Sequence, residues 1–330
     1  MKALVYTAPH TMTYRDEPDP VARAGEVVIE VDAVGICGSD MHAYHGQDPR
    51  RSPPLILGHE LAGTVVAGEG VGRRVTVNPL ITCGTCEYCS TGRDNLCPHR
   101  TMIGMTRAGG FAQRLSIPES SVIALPPTME ARTAALTEPA ATGLHALRLA
   151  RRDLARPLPE LRALVIGGGA VGLLTALLLR AYGCRDIALS EVNALRRASA
   201  TGAGDFQVFD PLTEHGPGPN SVDLVIDAVG AKATRRDALV AVKPGGVVVH
   251  IGLLDWASEI DMRKLTLSEI TLIGTYTYSM ADLRATVQAL EAGVYGALGW
   301  VEERSLKEGA AAFADLDQGK SGAAKIVLRP

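Results

Sequence analysis

The second half of the chain alternates short, almost wholly apolar segments with longer segments of mixed polarity. The apolar segments include "ALVIG" from Ala163, "DIALS" from Asp186, "DLVIDAVG" from Asp223 and "GGVVVHIG" from Gly245. Apolar runs of strand length that are bounded by turn residues are typical of parallel strands covered by helices on both faces. The pattern therefore predicts an α/β domain built on a doubly wound parallel sheet.

The first part of the chain has a different pattern, in which short strand-length runs are separated by turn residues. This pattern predicts a mainly β domain. We place the mainly β domain at residues 1–138 and the parallel-sheet domain at residues 139–275. The remaining segment, 276–330, contains a predicted helix, "MADLRATVQALEAG", and a final predicted strand, "AAKIVLRP".

Composition and charge exclude several classes of function. The 330 residues carry a net charge of −3 and show no basic stripe interleaved with aromatic residues, so a nucleic-acid partner is not expected. The longest apolar run, 170–179, is too short to span a membrane and ends at Arg180. Because the N-terminus also lacks the apolar core of a signal peptide, we expect a cytoplasmic protein without a membrane partner.

Four of the six cysteines lie within one short polar segment with the spacing Cys-x2-Cys-x2-Cys-x7-Cys. Disulfides are rare in a reducing compartment, which favours a metal site. Four thiolates at this spacing can close a tetrahedral shell around Zn²⁺, and a closed shell is typical of a structural site. An iron–sulfur cluster and a set of free thiols are the alternatives. The proposed structural zinc ligands are Cys83, Cys86, Cys89 and Cys97.

A glycine-rich turn joins the first apolar run of the second domain to a helical stretch. Gly167, Gly169 and Gly172 form the pattern G-x-G-x-x-G directly after a predicted strand, which is the fingerprint of a Rossmann dinucleotide site. Glu191, nineteen residues beyond Gly172, ends the next strand. An acid there binds the ribose hydroxyls and repels a 2′-phosphate, so NAD is expected rather than NADP. The candidate cofactor contacts are Gly167, Gly169, Ala170, Val171, Gly172, Glu191 and Arg196.

Three further segments hold soft or borderline metal ligands beside glycines, although they are far apart in the sequence. They are "VGICGSDMH" with Cys37, "LGHELAG" with His59 and Glu60, and "ALTEPAATG" with Glu138. A catalytic zinc needs about three protein ligands and one open position. Each segment alone is a weak signal, because a single cysteine is usually a small buried hydrophobe.

Taken together, these segments, their order and the cysteine cluster resemble the zinc-dependent medium-chain alcohol dehydrogenase family over essentially the whole chain. The resemblance implies a GroES-like fold for the mainly β catalytic domain, to which segment 276–330 returns. It also implies that Cys37, His59 and Glu138 bind a catalytic zinc, and that Glu60 approaches the metal or transiently replaces its water. A glutamate at the third position is similar to the polyol (sorbitol-like) and threonine dehydrogenase branches.

The same resemblance places the Ser39 hydroxyl beside the reacting oxygen, with His42 as the end of a proton relay. It implies hydride transfer between a secondary alcohol and NAD, with two zinc ions per chain and a homodimer or homotetramer. A polyol, sugar alcohol or amino-cyclitol is the expected substrate, and a threonine-type or other secondary alcohol is the alternative. The rival from another class is a catalytically silent nucleotide- and zinc-binding protein. His45 and His145 have no motif support and are interpreted as pocket-wall or packing residues.

Overall fold

The computed structural model describes all residues from 1 to 330 and contains eighteen strands and ten α-helices. The strands are β1 (Lys2–Ala8), β2 (Thr11–Asp16), β3 (Glu26–Gly35), β4 (Leu55–Ile56), β5 (Glu60–Ala67), β6 (Arg74–Val77), β7 (Leu80–Ile81), β8 (Thr101–Met102), β9 (Arg114–Pro118), β10 (Val122–Ala124), β11 (Arg162–Ile166), β12 (Asp186–Ser190), β13 (Gln207–Phe209), β14 (Val222–Asp227), β15 (Val242–His250), β16 (Thr271–Gly274), β17 (Val301–Ser305) and β18 (Lys325–Arg329). The helices are α1 (Gly38–Tyr44), α2 (Glu87–Ser90), α3 (Ala131–Ala134), α4 (Thr137–Ala150), α5 (Ala170–Ala181), α6 (Ala194–Ala203), α7 (Lys232–Ala241), α8 (Met262–Leu267), α9 (Met280–Glu291) and α10 (Gly309–Asp317).

Strands β11 to β16 form one wholly parallel sheet in the order β13-β12-β11-β14-β15-β16. The chain begins this sheet at β11 in the centre, moves outward to β13, and then crosses to β14 on the other side of β11. The reversal between β11 and β14 opens a crevice at the carboxyl ends of the strands, which is where doubly wound sheets bind nucleotides. The predicted doubly wound parallel sheet is confirmed.

Alternate side chains of the parallel strands enter two different hydrophobic cores. In β11, Ala163 and Val165 face a core shared with α4, α5 and α9, whereas Leu164 and Ile166 face a core shared with α7. Nine of the twelve residues of α5 are buried. Burial of one leucine side chain contributes roughly 1.5–3 kcal/mol, so the packing of α5 holds the glycine-rich turn before it firmly in place.

The first part of the chain forms a mainly antiparallel seven-stranded sheet, which confirms the predicted mainly β architecture. Its path is β10-β6-β5-β3-β18-β17, and β9 also pairs with β3. The last strand, β18, pairs with β3 and with β17, so the C-terminal end of the chain adds two strands to this sheet. Smaller sheets of three strands (β2-β1-β4) and two strands (β7-β8) complete the β structure.

Two of the three segments that carry the predicted metal ligands meet where β3 and β5 lie side by side. Strand β3 ends at Gly35, two residues before Cys37, and β5 begins at Glu60, one residue after His59. Gly35 and Glu60 are direct partners across the two strands. The pairing of β3 with β5 therefore brings Cys37 and His59 close together, although twenty-one residues separate them in the sequence.

None of the ten helices combines the length and the apolar character that a membrane span requires.

Candidate active site and metal centres

Three potential metal ligands converge at the junction of β3 and β5. The donor atoms of Cys37, His59 and Glu60 all lie within 4.8 Å of one another. The junction depends on the absence of a side chain at Gly35, because a Cβ there would lie 2.2 Å from Oε2 of Glu60. Close approach of the two strands thus brings a sulfur, a nitrogen and an oxygen ligand to one point.

Cys37 and His59 are held by one buried carboxylate, Asp40. Cys37 caps the N-terminus of α1, and its backbone N–H donates to Oδ2 of Asp40 at 3.0 Å. Oδ1 of Asp40 lies 3.5 Å from Nδ1 of His59, and neither atom has another partner. A carboxylate beside one ring nitrogen of a histidine fixes the orientation of the ring and leaves the other nitrogen available as a ligand.

A buried lysine from the end of the chain joins this group. Nζ of Lys325 donates to both carboxylate oxygens of Glu60, at 2.7 and 2.6 Å, and to the carbonyl oxygen of Ile36 at 2.8 Å. Burial lowers the pKa of Lys325, but the negative charges of Glu60 and Cys37 outweigh it and raise the pKa above the usual 10.5. Lys325 is therefore charged at neutral pH.

Glu138 lies near the three converging ligands but is not one of them in this structure. It sits in the first turn of α4, and its Oε1 accepts a hydrogen bond of 2.6 Å from the hydroxyl of Tyr278. Burial raises the pKa of Glu138 above 4.5, and the negative charge of Glu60 acts in the same direction, although His59 opposes it. Glu138 as the third zinc ligand, with Glu60 as the alternative, stays a prediction.

The charges and donor types of this group fit a divalent metal ion. Cys37, Glu60, Glu138 and Asp40 supply potential negative charges, and Lys325, which binds Glu60, and Arg51, whose charge acts on Asp40, are the permanent cations beside them. Burial lowers the pKa of His59, yet the charges of Asp40 and Cys37 outweigh it and raise the pKa well above 6.5. The negative charges around His59 therefore stabilise a positive charge at this position. Thiolate, imidazole and carboxylate ligands are the set that Zn²⁺ accepts.

Ser39 is fixed by a buried arginine that its sequence context did not reveal. Nη2 of Arg51 donates to Oγ of Ser39 at 3.3 Å, and Nη1 donates to the Ser39 carbonyl oxygen at 3.0 Å. Arg51 is 3% exposed and is itself held by Asp48 at 2.9 Å. The backbone N–H of Ser39 also donates to Sγ of Cys37 at 3.5 Å, which puts this serine directly beside a candidate metal ligand.

The structure does not join His42 to Ser39 by a direct hydrogen bond. His42 lies on the same helix and is half-buried, and burial lowers its pKa below 6.5 despite the opposing charge of Asp48. A neutral imidazole can accept a proton. Because no direct hydrogen bond joins the two side chains, the relay from Ser39 to His42 needs a bridging group and stays a prediction.

The four clustered cysteines form a compact group of sulfur atoms. The distances are 3.5 Å from Cys86 to Cys89, 3.6 Å from Cys97 to Cys83 and 3.9 Å from Cys83 to Cys89. Tetrahedral Zn–S bonds of about 2.3 Å place the sulfurs about 3.8 Å apart. All four cysteines are free thiols; the N–H groups of Thr85 and Cys86 lower the pKa of Cys83 to about 6, whereas burial raises the pKa of Cys89 to about 11. The group fits a structural zinc ion.

This cysteine lobe, residues 83–100, contacts the segment that leads from β16 to α9. Nδ2 of Asn95 donates to the carbonyl oxygen of Tyr276 at 2.8 Å, and the guanidinium of Arg100 lies 4.7 Å from the centre of the Tyr276 ring. The same segment carries Tyr278, which binds Glu138. The lobe and Glu138 thus contact the same segment of the chain.

The glycine-rich turn has the geometry of a phosphate site. Gly167 has a φ of +102°, which favours glycine, and a Cβ on Gly172 would lie 1.9 Å from the carbonyl oxygen of Gly167. The space over Gly169 is open, and Ala170 and Val171 begin helix α5 there. The unpaired N–H groups at this helix terminus can bind a pyrophosphate.

Glu191 closes one side of this turn at the end of β12. Its Oε2 accepts a hydrogen bond from the N–H of Gly168 at 2.9 Å, and its Oε1 accepts one from the N–H of Asn193 at 2.7 Å. Arg196 lies on α6, and its Nε has no hydrogen-bond partner. The neighbouring Arg197 is occupied with backbone carbonyls and Asp210.

Two protein-family models match the chain. The model of the alcohol dehydrogenase GroES-like domain matches residues 23–127, and the model of the zinc-binding dehydrogenase domain matches residues 170–292. The chain belongs to the zinc-binding alcohol dehydrogenase family. The predicted family, the GroES-like domain and the class of NAD(P)-dependent zinc dehydrogenases acting on CH–OH groups are thereby confirmed.

Relatives and solved structures share most of the length of this dehydrogenase. It is 33% identical to the sorbitol dehydrogenase of Bacillus subtilis (strain 168), over 84% of this chain and 83% of the relative. It is 29% identical to the L-galactonate-5-dehydrogenase of Escherichia coli (strain K12), over 86% and 85%. A protein from Sinorhizobium meliloti 1021, described as a zinc-binding dehydrogenase and solved with NADP, matches with a TM-score of 0.89, 29% identity and coverage of 100% and 99%.

Proposed function

We propose that this dehydrogenase oxidises a secondary alcohol of the polyol, sugar-alcohol or sugar-acid class to a ketone, with NAD as the hydride acceptor. The observation that carries the proposal is the convergence of Cys37, His59 and Glu60 within 4.8 Å. The two curated relatives are named for sorbitol and L-galactonate, which are both polyhydroxylated carbon chains. An amino-cyclitol belongs to the same class of hydroxylated substrates.

Cys37 and His59 would hold a zinc ion together with Glu138 or Glu60, and that ion would supply the positive charge that lowers the pKa of a substrate hydroxyl. Glu60 is already neutralised by Lys325, which binds both of its oxygens. No lysine or arginine nitrogen lies within 4.0 Å of the Glu138 carboxylate, which is held by the hydroxyl of Tyr278. A carboxylate whose oxygens are not occupied by a cation is freer to bind a metal, which favours Glu138 as the third ligand and Glu60 as the alternate.

Ser39 is proposed to accept the proton that leaves the alcohol. Oxidation of a secondary alcohol releases a hydride from carbon and a proton from oxygen, so the site needs a proton acceptor as well as the cofactor. One lone pair of the Ser39 hydroxyl accepts the hydrogen bond from Arg51, and the second lone pair remains for the substrate hydroxyl. The Ser39 proton can then pass toward His42 or solvent. Arg51 is a positioning residue, because it acts through Ser39.

NAD is proposed as the cofactor in preference to NADP. The turn at Gly167–Gly172 would hold the pyrophosphate, and Glu191 at the end of β12 would accept hydrogen bonds from the ribose hydroxyls. A 2′-phosphate beside this carboxylate is repelled, and no free arginine directly follows Glu191. NADP is the alternative, since the Sinorhizobium meliloti protein was solved with it.

A homodimer is proposed through the outer edge of the parallel sheet. Strand β16 is an edge strand, so its outer row of N–H and C=O groups is unpaired in the single chain. Five apolar side chains in the adjoining loop and helix are more than half exposed, namely Leu253, Leu254, Trp256, Met262 and Leu267. Pairing with β16 of a second copy would cover the unpaired backbone groups of β16 and the exposed apolar side chains. Light scattering of the wild type and of Trp256→Ser tests this, and a monomeric wild type would contradict it.

The division of the chain at 138/139 and 275/276 and the cytoplasmic location remain proposals. The pairing of β18 with β3, and of β17 with β18, supports a return of the last segment to the first domain. The six free cysteines are what a reducing compartment would maintain.

The proposed function is tested by NAD reduction with a panel of polyols, sugar acids, amino-cyclitols and threonine. We expect turnover with at least one polyhydroxylated substrate and two zinc ions per chain by metal analysis. Turnover with threonine alone would transfer the assignment to the threonine-type alternative. A protein that contains both metals and binds NAD but reduces it with none of these substrates would contradict the proposal.

Three variants distinguish a loss of catalytic turnover from a loss of folding stability. Cys37→Ala is expected to abolish turnover and to remove one zinc ion without unfolding the protein. Ser39→Ala is expected to lower kcat by about 10²–10⁴-fold with both metals retained, as is typical when an acid–base group is lost. Cys86→Ala is the matched control, which is expected to remove the other zinc ion and to lower thermal stability.

A further inference from the structure

A second group of potential metal ligands lies outside the candidate active site, on the surface of the mainly β part of the protein. It consists of His10 in the turn between β1 and β2, His45 directly after α1, and Asp317 at the end of α10. The donor atoms of the three side chains all lie within 4.8 Å of one another. Folding thus brings two imidazoles and a carboxylate together from three remote segments.

Asp317 has no permanent positive partner. Its Oδ1 lies 2.6 Å from Nε2 of His45 and its Oδ2 lies 3.8 Å from Nδ1 of His10. No lysine or arginine nitrogen lies within 4.0 Å of this carboxylate, whereas many other surface carboxylates of the chain have such a partner. Asp317 therefore contributes a negative charge beside the two imidazoles that no lysine or arginine of the chain pairs with.

The spacing of the three donors is close to that of a metal shell. Tetrahedral bonds of about 2.0–2.1 Å to nitrogen and oxygen place neighbouring ligand atoms about 3.3 Å apart. The two donor distances of 2.6 and 3.8 Å lie on either side of this value. Both observed separations therefore differ from that of the shell by less than about 1 Å.

We propose that His10, His45 and Asp317 form a third metal site, which binds a divalent transition-metal ion of the zinc class. Two imidazoles and one carboxylate suit Zn²⁺, Co²⁺ or Ni²⁺, whereas Mg²⁺ and Ca²⁺ prefer an all-oxygen shell. The side chains are 58%, 28% and 31% exposed, so water completes the shell and the ion exchanges with solvent. Since His45 follows the helix that contains Ser39, the bound ion ties that helix to α10.

The site is tested on the full-length protein after both other zinc sites have been filled and excess metal has been removed. Titration calorimetry with Zn²⁺ should show one additional equivalent in the wild type, and melting temperature should rise with added Zn²⁺. Titration with Co²⁺ of metal-free protein should show a last equivalent without thiolate-to-metal charge-transfer absorption, because this site contains no cysteine.

The variants His10→Asn and Asp317→Asn should both lose the additional equivalent and the rise in melting temperature. Asparagine tolerates the left-handed conformation of His10, whose φ is 58°, so the turn should be preserved. His215→Asn is the matched control for binding by a lone exposed histidine, and it should behave as the wild type. Equal stoichiometry and affinity in the wild type and both site variants would overturn the proposal and leave a hydrogen-bonded surface cluster.

Discussion

Replacement of Lys325 by methionine tests whether the buried charges near the metal ligands depend on this one side chain. Lys325 is 3% exposed, and its ammonium donates two hydrogen bonds to Glu60 and one to the carbonyl oxygen of Ile36. Methionine can fill much of the same space but carries no charge. The change therefore leaves the carboxylate of Glu60, which is 0% exposed, without its cation. Removal of one partner from a buried ion pair costs about 3–5 kcal/mol in the free energy of unfolding.

A second lysine of the chain provides a matched control. Nζ of Lys243 also contacts both oxygens of a carboxylate, at 3.2 and 3.1 Å from Asp223, but its side chain is 37% exposed. Ion pairs at the surface contribute about 0–1 kcal/mol, because water solvates the charges and salt screens them. We therefore expect Lys243→Met to cost much less stability than Lys325→Met, although both variants remove a bidentate lysine.

Urea denaturation of the wild type, of both methionine variants and of the double variant Glu60→Gln with Lys325→Met measures these costs. All samples are compared at equal zinc content. The double variant removes the buried negative charge as well, so it should recover at least half of the loss seen in Lys325→Met. The reasoning is refuted if Lys325→Met is no less stable than Lys243→Met. It is also refuted if the double variant has a free energy of unfolding that lies as far below that of Lys325→Met as Lys325→Met lies below the wild type.

Three other predictions concern single side chains. Tyr278→Phe removes the hydrogen bond to buried Glu138 and should cost about 1–3 kcal/mol in the free energy of unfolding, with faster loss of zinc to a chelator; unchanged zinc retention would contradict the role given to Tyr278. Glu191→Ala removes the proposed charged hydrogen bonds to the ribose and should lower kcat/KM for NAD by about 10–100-fold while that for NADP falls less; an unchanged ratio of the two values would contradict the cofactor assignment. Burial raises the pKa of Asp282, but hydrogen bonds outweigh it and hold the pKa below 3.8. Its contribution to stability is therefore present above pH 3.8 and is lost as pH falls through the lower folded-state pKa, so Asp282→Asn should be less stable than the wild type at pH 7 and the difference should shrink in acid melts.

Much of the fold could be predicted because its strands and turns depend on local signals. Strands that are buried on both faces have nearly continuous apolar sequences, and β11, β12, β14 and β15 all show them. Strand β17 is different, because only Val301 of its five residues is fully buried. It is a strand because β18 offers a parallel neighbour, and this pairing is a property of the whole sheet rather than of its own residues.

The ligand types of the candidate site could also be predicted, but their partners could not. Cysteine, histidine and glutamate beside glycines are recognisable wherever they occur in the chain. Lys325 resembles any polar residue at the start of a strand, and Arg51 lies in a proline-rich stretch that resembles a solvated loop. Both become buried because of contacts with remote segments, so their roles follow only from the folded structure.

The partners of the candidate ligands come from the first part and from the last segment of the chain, and this affects how the site forms. Asp40 beside His59 lies in the first part, whereas Tyr278 and Lys325 lie in the last 55 residues and contact Glu138 and Glu60. A partly folded chain that lacks β18 would expose the same ligands but would leave Glu60 unpaired. The carboxylate of Glu60 could then compete with Glu138 for the metal, whereas in the folded chain Lys325 occupies both oxygens of Glu60. The proposed preference for Glu138 over Glu60 therefore depends on the C-terminal strand, which brings Lys325 to Glu60.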